Sequence, residues 1–177
     1  MSTGYELGQP DRVTVGTIGP LGERVFFLQV REGRQMVTMK VEKQQVAALA
    51  AYLGRLLRDL ARPAELPTGA ELELEEFGEP DFVVGTIGVT YDEAVDRVML
   101  VAEEIDRSEL AEEDPLSAEP EGSSARLAMT REQAAALAIR GTQLVESGRP
   151  PCPLCGYPLD PRGHACPRTN GNTAPLI

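Results

Sequence analysis

All three cysteines and the single histidine of this chain fall between Cys152 and Cys166. The stretch reads Cys152-Pro-Leu-Cys155, then an eight-residue spacer, then His164-Ala-Cys166. Thiolate sulfur and imidazole nitrogen are the donors that a borderline-soft cation such as Zn²⁺ takes, four at a time in a tetrahedron. Cys152, Cys155, His164 and Cys166 complete such a Cys₃His set.

The spacing suits that chemistry. Two residues between the first pair of cysteines let both sulfurs approach one ion from a tight turn, and Gly156 can supply the positive φ that ends it. Pro153 stiffens the turn and removes one backbone donor. Two glycines and two prolines in Gly156-Tyr-Pro-Leu-Asp-Pro-Arg-Gly163 predict a chain that doubles back without forming a helix. His164 and Cys166 are two apart, so in an extended segment both side chains share one face.

Other uses of these residues fit less well. A Cys152–Cys155 disulfide would leave Cys166 over, an awkward arrangement for a secreted scaffold. A thioredoxin-like redox pair would follow a strand and open a helix, whereas this one is bracketed by prolines. Catalytic zinc keeps an open position, which four protein ligands deny it. The spacing therefore predicts structural Zn²⁺.

The rest of the chain must carry this element. At 177 residues, 42% hydrophobic and 25% charged, it has room for one sizeable domain with a small appendage. No long apolar run predicts a membrane span, and no basic-then-apolar leader predicts export. Thiols suited to metal agree with a reducing compartment, so a cytoplasmic protein is expected. The net charge is −11. Nine acids between Glu103 and Glu121 face only Arg107, and seven acids lie between Glu65 and Asp81 with no base. The tail has Arg149, Arg162 and Arg168 against Asp160. An acidic body repels phosphate backbones, and so slight a positive excess does not overcome that repulsion, which argues against nucleic acid as a partner.

An internal repeat organises residues 1–148. Val15-Gly-Thr-Ile-Gly19 recurs as Val84-Gly-Thr-Ile-Gly88, and Gln45-Val-Ala-Ala-Leu-Ala50 as Gln133-Ala-Ala-Ala-Leu-Ala138, in the same order. In the first repeat, about 11–62, alternation and β-branching predict strands at Arg12–Ile18, Arg24–Val30 and Gln35–Val41. A helix follows, whose stripe is Val46, Leu49, Ala50, Leu53, Leu57 and Leu60. In the second, about 81–148, strands are expected at Phe82–Val89, Arg97–Glu103 and Arg126–Met129. Thr130 with Gln133 forms a capping box that starts a helix at Arg131, and Gly148 with Pro150 stops it near Ser147. Residues 106–124 read as an acidic, solvated loop. The expectation is an α+β fold: duplicated β-β-β-α units in a pseudo-twofold, mostly antiparallel sandwich, its two helices sharing a face, with the zinc element at 149–177.

Two further patterns carry bland readings. Gly16, Gly19 and Gly22 mimic a phosphate loop, but a strand follows them and not the helix such a loop needs, so hairpin glycines or a close backbone approach are expected. The clusters Glu73-Leu-Glu75-Glu76 and Glu112-Glu113-Asp114 lack the rhythm of a calcium loop and read as solvated. With His164 given to zinc, no histidine remains as a general base, and no catalytic residues are assigned.

The segments Gly22-Glu-Arg-Val-Phe-Phe-Leu-Gln29, Val41-Glu-Lys-Gln-Gln45, Gly148-Arg-Pro-Pro-Cys-Pro-Leu-Cys-Gly156 and His164-Ala-Cys-Pro167 resemble an actinobacterial family of conserved hypothetical proteins, domain of unknown function 3090. The resemblance runs from about Asp11 to Gly171 and implies no assigned reaction. It implies, by neighbourhood, association with a phosphatidylinositol-kinase-like protein and a histidine-phosphatase-like one. Three expectations follow: a protein-interaction or adaptor module with structural zinc, a small-molecule binder or enzyme using a groove between the repeats, or a nucleic-acid-associated factor acting through the tail.

Overall fold

The computed structural model describes residues 3–63, 65–67, 69–105, 122–148, 152–156 and 166–169. The strands are β1 (Gly4–Leu7), β2 (Arg12–Ile18), β3 (Val25–Glu32), β4 (Gln35–Val41), β5 (Phe82–Asp92), β6 (Arg97–Glu104) and β7 (Ser124–Met129). The helices are α1 (Lys43–Arg58), after β4, and α2 (Arg131–Glu146), after β7. The chain is thus mixed α+β, with a seven-stranded sheet and two helices.

Local signals place most of these elements. Gly19 and Gly22 both have positive φ in the β2–β3 turn, closed by the Glu23 amide donating to the Pro20 carbonyl at 3.0 Å. Thr130 caps α2 through its hydroxyl, which accepts from the Gln133 amide, while Gln133 Oε1 accepts from the Thr130 amide at 3.0 Å. Glu42 and Gln45 make the same reciprocal box at α1. The apolar stripe of α1 buries Val46, Leu49, Ala50 and Leu53. Its extension to Leu60 does not hold, because the helix ends at the Asp59 cap.

The sheet order is β1-β7-β6-β5-β4-β3-β2. This corrects the pseudo-twofold sandwich in two respects. First, β2-β3-β4 and β5-β6-β7 are two antiparallel meanders side by side in one sheet. They meet through a short parallel link that pairs Met39 with Phe82 and Lys40 with Val83. Moving each strand of the first meander three places along the sheet brings it onto its counterpart. That relation is a translation, and no twofold rotation produces this order. Second, a strand not expected from the sequence, β1, adds in parallel to β7.

The sheet is strongly curled. Strands β1 and β2 occupy opposite edges, yet residues 8–11 are all that separate them. Five extended Cα steps reach about 18 Å, whereas six strand spacings in a flat sheet span about 29 Å. The edges must approach each other, and α2 sits where they do, packing on β2 as well as on β6 and β7. Gln133 Nε2 ties this corner by donating to the Pro10 carbonyl at 2.7 Å.

One continuous core, including Leu28, Val37, Met39, Leu53, Leu100, Leu127 and Leu137, fills the space between sheet and helices. Where the two halves meet, among Val15, Val41, Leu49, Ile87 and Leu137, only about 10 Å³ of empty space remains. That is room for a single water at most. Apolar side chains fill this part of the space between the halves.

The outer face of β2–β4 is covered too. Residues 69–78 cross it as a strap over a buried polar row of Thr14, Gln29 and Thr38. Thr14 Oγ1 donates to the Leu72 carbonyl, and Gln29 Nε2 donates to both Thr38 Oγ1 and the Glu75 carbonyl at 3.1 Å. Phe77 meets Phe27 edge to face with centroids 4.9 Å apart. Glu75, expected to be solvated, accepts from Arg12 Nη1 and forms an ion pair with Arg31 Nε, each at 3.1 Å.

Candidate metal centre

The chain leaves the body at the C-terminus of α2. That helix has no basic residue in its last turn, and the cation comes from β3's approach instead. Arg24 Nη2 donates to the Leu144 carbonyl at 3.1 Å and Nη1 to Ser147 Oγ at 3.4 Å. A guanidinium there satisfies an orphan carbonyl and opposes the negative end of the helix dipole.

Beyond it, Pro153, Leu154 and Cys155 form the tight turn that the Cys-x-x-Cys spacing predicts. The Gly156 amide donates to the Cys152 carbonyl at 2.8 Å, and Gly156 has φ +75°. An L side chain is strained at that angle, so glycine is the residue that closes this turn cheaply.

Cys166 comes back from a second segment to meet the turn. Its Sγ lies 4.0 Å from that of Cys152, and the three sulfurs of Cys152, Cys155 and Cys166 all lie within 4.8 Å of one another. A disulfide would need about 2.05 Å. The three are thiols. Four sulfurs held at about 2.3 Å from a tetrahedral Zn²⁺ stand about 3.8 Å apart. The observed spacing is compatible with ligands around an ion, slightly open.

Burial agrees with the donor chemistry. Cys152 and Cys166 are 2% and 0% exposed, Cys155 is half-buried, and together they make a small core separate from that of the body. Among the described residues this core consists of three thiols, which offer little apolar area, and a bound ion would add to what holds them together. The residues present fit a metal ion.

The structure thus brings together Cys152, Cys155 and Cys166. The expected fourth ligand, His164, lies outside the described residues, as do Arg149, Tyr157, Asp160, Arg162 and the acidic run 106–121. Arg168 is exposed in the short 3-10 turn Pro167–Thr169.

The first glycine of each Val-Gly-Thr-Ile-Gly motif is explained by close approach. A Cβ on Gly16 would run into the Leu74 side chain, and one on Gly85 would stand 2.7 Å from Ile105 Cα. A register irregularity between Val84 and Thr86 accompanies the second. No phosphate loop is formed, since β3 follows the glycines of the first.

A polar triad that the sequence does not announce joins the β5–β6 turn to the start of α2. Tyr91 Oη donates to Asp96 Oδ1 at 2.7 Å, and Arg131 Nη2 donates to Asp96 Oδ2 at 2.8 Å. Asp96 adopts φ +52°, which Asp tolerates better than most residues. Arg131, then Tyr91, hold the Asp96 carboxyl below its ordinary range by hydrogen bonding to its charged form. The same bond to Asp96 raises the Tyr91 phenol. The only signal in the sequence is an Asp in a hairpin turn, which does not name its partners.

Comparison with known families gives one match. Residues 5–166 match the model of a protein family of unknown function, DUF3090, and the chain belongs to that family. No curated protein and no solved structure matches it. Among the described residues no helix is long and apolar enough to cross a membrane.

Proposed function

We propose that this DUF3090-family chain is a zinc protein whose metal is structural, and that the zinc-built tail serves as a docking element for another protein. One observation carries the metal reading: thiols from two segments, fourteen residues apart at Cys152 and Cys166, converge with Cys155 to within 4.8 Å. His164, the chain's one histidine, is the fourth ligand in this reading. A donor set of three thiolates and one imidazole favours zinc over hard cations such as Mg²⁺ or Ca²⁺, which prefer oxygen. The ion would hold the turn and the return segment together, and four protein ligands would leave it no open position for water.

The docking role rests on what such a tail offers. Leu154, at the tip of the turn, is 44% exposed and would give a rigid, metal-held knuckle an apolar contact. Three thiols kept for metal suit a reducing cytoplasm. The phosphatidylinositol-kinase-like neighbour suggested by the family resemblance is the first partner to test. We further read the two β-β-β-α units as a duplication. Gly16 and Gly85 each accommodate a close approach, and Gln45 and Gln133 each complete an N-terminal box while donating to backbone carbonyls outside their own unit, Val84 and Gly85 for Gln45 and Pro10 for Gln133.

Metal analysis of the purified chain tests the first statement, with one equivalent of zinc expected. Affinity capture from the native host, with wild type compared with Cys152→Ser and with nuclease present or absent, tests the second. A stoichiometric protein lost in the variant and resistant to nuclease supports docking through the tail. A nuclease-sensitive complex, or capture unchanged in the variant, refutes it.

A further inference from the structure

A groove of about 830 Å³ opens on the rim of the sheet. Ile18 at the end of β2, Glu73, Leu74, Glu76 and Phe77 of the strap, and Arg140 of α2 line it. This volume lies within the common range for ligand pockets, roughly 300–1,000 Å³.

Its charges are unusual. Among the described residues Arg140 makes no ion pair or hydrogen bond, and its Nε is shielded from water without an acceptor. Glu73 and Glu76 of the strap are exposed, and their carboxylates pair with no base among the described residues. Glu75 between them is already matched by Arg12 and Arg31. A cation and two anions therefore face one groove without neutralising each other.

We propose that this groove binds a short extended peptide of mixed charge, its basic end against Glu73 and Glu76 and its carboxylate at Arg140. Charge complementarity selects the ligand. A phosphate-rich or purely anionic molecule would meet Arg140 but be repelled by the two acids, whereas a peptide bearing both signs satisfies all three groups. The floor selects a backbone. Strand β2 is the last in the sheet and its end, Gly16–Ile18, lines the groove, so that edge there turns backbone N–H and C=O away from β3 at alternate residues. An extended chain can add to such an edge. Ile18, 52% exposed, with Leu74 and Phe77, would receive alternate apolar side chains.

The test is a two-dimensional NMR titration of the full metal-loaded chain with a pentapeptide of lysine, three valines and aspartate. Saturable shifts confined to Gly16–Ile18, 73–78 and the surroundings of Arg140 are expected. Binding should weaken at least tenfold in Arg140→Gln and in the double variant Glu73→Gln, Glu76→Gln, each with an unchanged melting temperature. No saturation at millimolar peptide, equal binding by a pentapeptide with glutamine and asparagine at its ends, or shifts located elsewhere would overturn the proposal. So would a concentration-dependent dimer that buries β2, because the edge would then belong to a second copy.

Discussion

The sulfurs of Cys152 and Cys166 stand 4.0 Å apart although they are fourteen positions apart in the chain, and among the described residues only Cys155 packs with them. If a metal ion makes that contact, removing either ligand removes the local fold. Cys166→Ser should lose the bound zinc, and amide exchange in 152–156 should become fast. The body, whose core is separate, should keep its melting transition within about 1 °C, a shift below the 2–4 °C that 1 kcal/mol produces in a chain of this size. One retained equivalent of zinc would refute the ligand assignment.

The strap depends on Gln29. Its Oε1 accepts from the Glu75 amide at 2.7 Å while its Nε2 donates to the Glu75 carbonyl at 3.1 Å, so one side chain replaces a missing strand neighbour. Gln29→Leu leaves both groups of Glu75 and the Thr38 hydroxyl without that partner. A loss of about 2 kcal/mol in urea-unfolding free energy is expected. Proteolysis within 69–78 should also precede global unfolding in the variant.

Gly16 lies beneath Leu74, so Gly16→Ala should cost about 1–3 kcal/mol by overpacking. The cost is specific to that neighbour. In a double-mutant cycle, Gly16→Ala made on a Leu74→Ala background should cost markedly less, and strict additivity would show that Gly16 is required for some other reason.

Acid should loosen the corner at Asp96. Its folded pKa is held below the ordinary carboxylate value of about 3.9, so its contribution to stability is present above that value and fades as pH falls through the lower folded one. Tyr91 acts in the opposite sense. Its folded pKa is raised, so its contribution is present below about pH 10 and is lost as pH rises through the higher folded value. Asp96→Asn should flatten both limbs of a plot of unfolding free energy against pH, and two unaltered limbs would place the titrations elsewhere.

Features set by near neighbours were legible in the sequence. The Cys-x-x-Cys turn with its positive-φ Gly156, the Thr130–Gln133 capping box, the β2–β3 hairpin glycines and the start of α2 at Arg131 each depend on residues within four positions of one another. Six of the seven strands could be read because alternation and β-branching are local as well. The convergence of Cys166 on the turn was legible too, because chemistry restricts what three thiols in one short stretch can do.

What the tertiary structure decided depends on distant partners. Strand β1 is four residues long and exists because β7 offers it a parallel edge. Glu75 reads as one more solvated acid until Arg12, 63 residues away, and Arg31 are placed beside it. The order of the meanders, a translation and not a twofold, follows from which edges met across the two-pair link of β4 and β5, and no residue pattern encodes that choice. The curl that closes the space between the halves and opens a groove at the rim comes from so short a chain joining opposite edges of the sheet. Sequence sets what each segment is able to form, while pairing energy and chain length set where the segments meet.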